Sequence, residues 1–172
     1  ALWHALLAES PHRRLWQDAV DIAILLPPEA WPELDQHLTW RAEQPHRHTR
    51  LVLPIDNSSR QWQGQLMREH REALRCGHLQ LIPVEGNDGL INQWNRAIDS
   101  CQADWIGLAS PALWSHRTCL LLQAARILRH PEHRCCPGQP PLARRDWLRN
   151  NGGLPATHTP EQIVADWNRQ RP

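Results

Sequence analysis

Four short apolar runs, each followed by a helical stretch, constrain this chain more than any other feature. They are Asp21-Ile-Ala-Ile-Leu-Leu-Pro27, Leu51-Val-Leu-Pro-Ile-Asp56, His78-Leu-Gln-Leu-Ile-Pro-Val84 and Trp105-Ile-Gly-Leu-Ala109. Each has strand length and little polar alternation, the pattern of strands buried on both faces. Between them the apolar spacing turns helical. Trp31, Leu34, Leu38 and Ala42 share a face after Pro32, and Trp62, Leu66 and Leu74 share one ahead of a stop at Gly77. Leu90, Ile91, Trp94 and Ile98 follow an Asn87-Asp88-Gly89 turn. Alternation of this kind predicts an α/β fold, a mostly parallel sheet with helices on both faces. Pro54 inside the second run is a mild objection, because proline brings no ladder donor.

The ends of the chain are helical in pattern. Residues 1–20 form an N-terminal extension in two pieces: Leu2, Trp3, Leu6 and Leu7 make one apolar face, and Ser10-Pro11 starts the second piece. Residues 45–50 are a polar loop. Ser115 caps a helix that runs through Leu128. The tail, 137–172, holds a short helix near 142–150, a stop at Asn150-Asn-Gly-Gly153 and a last helix from Thr159. Pro160 at its first position and Gln162 complete a capping box there. With 172 residues and no long linker, the chain is expected to be a single domain spanning 1–172.

Composition narrows the chemistry. The formal net charge is +1, so nothing draws the chain to nucleic acid or an anionic membrane. No apolar run approaches the length of a membrane span. There is no Lys, which excludes Schiff bases and a phosphate-loop lysine, and with no Phe or Tyr the aromatic packing falls to Trp. The five cysteines are odd in number and contain no C-x-x-C, as expected of reduced thiols in a cytoplasmic protein. His130-Pro-Glu-His133-Arg-Cys135-Cys136 holds metal-ligating residue types, but reads better as a helix stopped by Pro131 and then a short apolar strand. No metal site is expected. The chain does not open on Met and shows no signal peptide, so it reads as a processed protein or a piece of a longer one.

Four segments, in order, resemble the family 2 glycosyltransferases, whose fold is GT-A (Rossmann-like). DIAILLPPEAWPEL is similar to their opening strand and first helix, and LVLPIDNSS to the second strand with its acidic end. VEGNDGLINQWNRAIDSCQADWIGLAS resembles the glycine turn, the helix with its Asn and the strand leading to the metal motif. ARRDWLRNNGGL is similar to the later segment, a basic pair before a helix stopped by Gly-Gly. The likeness runs from about Asp21 to Arg169. It implies transfer of a sugar from a nucleotide-sugar donor to a glycan acceptor. Open parallel sheets bind ligands at the carboxyl ends of their strands, where Asp56, Glu85 and Ser110 lie. The candidate nucleotide-binding residues are Asp56, Asp88, Ser110, His116, Arg117, Arg144 and Arg145. Asp56 and Asp88 also suit turn and cap roles, and Asn95 is expected to be structural.

The resemblance fails at one place. The family carries Asp-x-Asp after the fourth strand, to hold a divalent ion on the diphosphate; here the matching residues are Ser110, Pro111 and Ala112. Either His116, Arg117, Arg144 and Arg145 replace the ion, or the site has lost its activity and the domain binds a nucleotide, a glycan or a partner subunit. The family's base comes from a Glu-Asp pair after the Gly-Gly. The match is Glu161-Gln162, which leaves Glu161 as the candidate catalytic base. Flanking domains or a protein partner are compatible with either reading.

Overall fold

The computed structural model describes residues 20–56, 60–84, 89–109 and 119–170. The predicted extension at 1–19, and Asp88, Ser110, His116 and Arg117, lie outside them, as does Glu85.

A six-stranded sheet forms the centre, in the order β3-β2-β1-β4-β6-β5. The strands are β1 (Ile22–Leu25), β2 (Thr49–Ile55), β3 (Leu79–Pro83), β4 (Trp105–Leu108), β5 (Cys135–Cys136) and β6 (Leu142–Arg144). The first four are the four apolar runs, and they pair in parallel: Ile24 lies opposite Leu51 on one side and Gly107 on the other. Beyond β4 the sheet turns antiparallel, with Trp105 opposite Arg144 and Cys136 opposite Leu142. The helix expected near 142–150 is therefore a strand and a shorter helix.

Seven helices are described: α1 (Leu34–Glu43), α2 (Arg60–Glu69), α3 (Arg71–Arg75), α4 (Leu90–Ser100), α5 (Cys119–Arg129), α6 (Arg145–Asn150) and α7 (Pro160–Arg169). A 3-10 turn, Pro28–Glu33, precedes α1 and takes in Pro32. Side chains alternate along each strand, so the sheet feeds two cores. Ile22, Ile24, Leu51 and Leu53 pack with Leu34, Trp40, Leu66, Leu120 and Ala124 from α1, α2 and α5. Ala23, Leu25, Val52, Ile106 and Leu108 pack with Trp94, Ile98, Leu148, Ile163 and Trp167 from α4, α6 and α7. Helices thus cover both faces. Among the described residues no helix is long and apolar enough to cross a membrane.

The α1 face departs from expectation. Ala42 is exposed, and Arg41 is buried in its place. Its guanidinium donates to Thr49 O at 2.8 Å and Arg47 O at 2.6 Å, tying α1 to the start of β2. The helix after residue 59 breaks at His70, and Trp62 stays 39% exposed.

Pro54 is accommodated by an indole. The β1–β2 ladder runs through Leu26 N donating to Val52 O at 2.8 Å. One step further, the N–H of residue 54 would donate to Leu26 O. Proline has none, and Trp94 Nε1 donates to that carbonyl instead, at 2.9 Å. Gly107 has a packing reason: a Cβ there would lie 2.7 Å from Ile24 Cδ1 and 3.0 Å from Leu142 Cδ2.

Candidate functional site

The connections place the crevice. The chain leaves β1 toward β2 on one side, while β4 returns to the other side of β1. Strand order therefore reverses between β1 and β4, and the carboxyl ends of those strands are where an open α/β sheet leaves a ligand crevice. The ladder continues one residue past each strand: Val84 N donates to Ile55 O, and Ala109 N to Leu25 O, both at 2.9 Å. Val84 therefore stands beside Asp56 and Ala109 beside Leu26, while the register that sets Leu25 opposite Val52 carries Asp56 three residues further along than Leu26. Neighbouring strands lie about 4.8 Å apart and each residue advances about 3.3 Å, so two strands across and three residues along separate Asp56 on β2 from Ala109 on β4 by about 14 Å.

Asp56 is the acidic side chain the described residues bring to this edge. It is 8% exposed, so its carboxylate is largely withdrawn from bulk water. Leu26, Pro27 and Ala109, at the tips of β1 and β4, supply no anionic ligand, and neither do Ser110-Pro111-Ala112 in the following sequence. Among the described residues, the tips of β1 and β4 offer none of the carboxylates that the divalent ion of the resembled family needs.

The basic pair lies elsewhere. Because β6 runs against β4, Arg144 lies opposite Trp105, at the amino end of the parallel strands. Its guanidinium carbon is 5.9 Å from the centre of the Trp105 ring, and Nη1 donates to Pro131 O at 2.9 Å. Arg145 donates from Nε to Ile98 O at 2.8 Å and from Nη2 to Asp99 O at 3.1 Å. It caps the carboxyl end of α4, where a cation meets the negative end of the helix dipole. Neither arginine joins Asp56. Arg134, Arg144, Glu132, Asp146 and Trp147 instead line an open recess of about 490 Å³ at the amino end of the sheet.

Glu161 lies in the first turn of α7. The capping box is formed: Thr159 N donates to Gln162 Oε1 at 2.8 Å and Gln162 N to Thr159 Oγ1 at 3.3 Å. The Glu161 carboxyl is held below its usual range by its own backbone N–H and then by the Thr159 hydroxyl. The helix runs opposite to β5, since Asn168 Oδ1 accepts from Gly138 N, past the end of that strand, while Gln170 Oε1 accepts from Cys135 at its start. The Glu161 end of α7 thus points to the carboxyl side of the sheet, the side of Asp56.

Asn95 ties the segment ahead of this helix to α4. Its Nδ2 donates to Leu154 O at 3.0 Å, and its Oδ1 accepts from Leu154 N at 2.6 Å. Gly152 and Gly153 precede this contact with φ of 82° and 84°. The Gly-Gly stop is thereby latched onto the middle of α4, and the following turn carries α7. The sequence signals the glycines, while the latch joins residues 59 apart and has no local signature.

No family model matches the sequence, and no curated protein matches it. Solved structures do. The crystal structure of S. aureus TarS 1–349 aligns with a TM-score of 0.57 at 15% identity, covering 86% of this chain and 55% of that one. The same protein in complex with UDP gives a TM-score of 0.57 at 14% identity, covering 84% of this chain and 53% of that one. The mannosyltransferase PcManGT from Pyrobaculum calidifontis, in complex with GDP-Man and Mn²⁺, aligns with a TM-score of 0.51 at 16% identity, over 93% of this chain and 55% of that one. The chain spans about half the length of these proteins. At such identities the likeness is one of fold: the chain has a GT-A-like fold, a mostly parallel sheet flanked by helices.

Proposed function

We propose that this chain is a family 2-type glycosyltransferase domain that binds a nucleotide-sugar donor at the carboxyl ends of β1, β2 and β4 without a protein-bound divalent ion. The observation that carries the proposal is the buried Asp56 at the tip of β2, one strand from the point where strand order reverses. Its carboxylate accepts hydrogen bonds from the base or ribose of the donor. The fold shared with a UDP-bound TarS and a GDP-Man-bound mannosyltransferase supports this reading.

The diphosphate then lies toward β4, where Ser110 follows the strand and Asp88 precedes the start of α4. His116 and Arg117, just ahead of α5, supply positive charge in place of the metal. An acceptor hydroxyl attacks the anomeric carbon, the bond from that carbon to the diphosphate oxygen breaks, and the nucleoside diphosphate leaves with the bonding pair. The hydroxyl proton passes to the Glu161 carboxylate. The carboxylate is ionised at neutral pH, as a base must be, although its depressed pKa makes it a weak one. The free thiols of Cys76, Cys101, Cys135 and Cys136 suit a reducing cytoplasmic setting.

A second reading keeps the fold and drops the transfer: a catalytically inactive GT-A domain that binds a nucleotide, a glycan or a partner subunit. The absence of Asp-x-Asp, together with Gln162 where the family has Asp, favours it. Titration calorimetry with UDP and GDP, with and without Mn²⁺, tests both. Saturable, metal-independent heat supports the donor site, and sugar transfer abolished by Glu161→Gln separates the first reading from the second. No heat at about 1 mM nucleotide under either condition ends the enzyme reading.

A further inference from the structure

We propose that His130, Glu132 and His133 form a binding site for a borderline transition-metal ion, with Zn²⁺ as the best fit. The three residues sit in the turn between α5 and β5, at the amino end of the sheet. They are at the opposite end from Asp56, so the inference is independent of the nucleotide site.

The turn is built before any ion arrives. His130 N donates to Arg126 O at 3.0 Å, continuing the last turn of α5, and His133 N donates to His130 O at 3.2 Å. That bond folds positions 130 and 133 together with Glu132 between them. Arg144 fastens the turn to β6 through Pro131 O, at 2.9 Å.

The donor atoms are spaced for a cation. Glu132 Oε1 lies 3.4 Å from His130 Nδ1 and 3.4 Å from His133 Nε2. The three ligand atoms all lie within 4.8 Å of one another. A separation of 3.4 Å is long for a hydrogen bond, yet it equals the edge of a tetrahedron built on metal–ligand bonds of about 2.0–2.1 Å. One adjustment is required. The two imidazoles are stacked, with centroids 4.8 Å apart and planes 5° from parallel, so their lone pairs run side by side instead of converging. The His130 side chain is 46% exposed, against 14% for His133. His130 can therefore turn about a soft side-chain torsion to aim Nδ1 at the shared point.

Two neutral imidazoles and one carboxylate suit Zn²⁺ better than Mg²⁺ or Ca²⁺, which prefer all-oxygen shells, and they leave a fourth position for water. Cys135 and Cys136 do not take part. Both are buried, and Cys135 donates to Gln170 Oε1. Arg134 and Arg144, near Glu132 in the adjoining recess, oppose a dication and hold the affinity to a moderate value.

The test is a titration of the full chain carrying Cys76→Ser, which removes an exposed thiol beside Glu72 that could compete for the ion. Zn²⁺ is titrated against a chromophoric chelator, and Co²⁺ is followed by its visible absorption. One ion per chain is expected, with an affinity at least about tenfold weaker after His133→Asn or Glu132→Gln and an unchanged far-ultraviolet dichroism spectrum. Affinities of both variants within about twofold of the parent, or no Co²⁺ spectrum at about 100 μM, would overturn the assignment.

Discussion

Breaking the Asn95 latch gives a prediction whose size follows from the geometry. Asn95→Ala removes two hydrogen bonds, each worth about 1 kcal/mol net, and leaves the N–H and C=O of Leu154 without their partner. Leu154 is 2% exposed, so water restores those bonds only if the turn opens. A loss of about 2–4 kcal/mol is expected. Gly153→Ala strikes the same latch from the other side. Its new Cβ would lie 2.5 Å from Asn95 Oδ1, on a backbone at φ +84°. The left-handed backbone alone costs an L-residue about 1–2 kcal/mol, and the collision adds the loss of the latch. In the Asn95→Ala background the collision is gone and the backbone strain remains. The two substitutions should therefore be less than additive by about 1–3 kcal/mol. Urea denaturation of the four proteins, followed by tryptophan fluorescence, measures this coupling. Additivity to within about 0.5 kcal/mol would refute the latch as the link between α4 and the segment that carries Glu161.

Other outcomes follow from single contacts. Trp94→Phe keeps most of the packing but leaves Leu26 O facing Pro54 without a donor, so stability should fall by about 1–3 kcal/mol in the same denaturation assay. Gly107→Ala pushes a methyl group into Ile24 and Leu142 at the centre of the sheet and should cost about 1–3 kcal/mol. Burial lowers the pKa of His37, against the pull of Glu33, and burial and then Arg41 lower that of His78. The unfolded chain thus binds more protons, and the stability these residues contribute is full above about pH 6.5 and declines as the pH falls below it. His37→Gln should flatten that decline in denaturation midpoints taken across the range. Burial pushes the Cys135 thiol up to about 12 and the Cys136 thiol up to about 11, so alkylation at neutral pH followed by mass spectrometry should leave both unmodified in the folded chain while exposed Cys76 reacts.

The parallel half of the sheet could be read from the sequence because each of its strands is a continuous apolar run between helical periods. The antiparallel half could not. β6 is three residues, Leu142–Arg144, and its run of Leu, Ala and Arg is equally compatible with a helix start. Its strand character comes from pairing with β4, across almost forty residues of chain. The basic pair was misplaced for a similar reason. Adjacent arginines ahead of a helix suggest an anion site, but their hydrogen-bond partners are the carbonyls of Ile98, Asp99 and Pro131, brought there by topology. The α1 face misled because apolar spacing picks out Ala42, whereas Arg41 is drawn in by carbonyls at the start of β2. Features set by local chemistry were recovered, including the Gly77 stop at φ 70° and the Thr159 capping box.

The most direct test of the donor site is a crystal structure of the chain soaked with UDP. The account predicts the nucleoside against Asp56 and the diphosphate reaching toward the end of β4, with the density lost in Asp56→Asn crystals grown in the same form. A nucleotide bound instead in the recess beside Arg134, Arg144 and Trp147, at the other end of the strands, would contradict it.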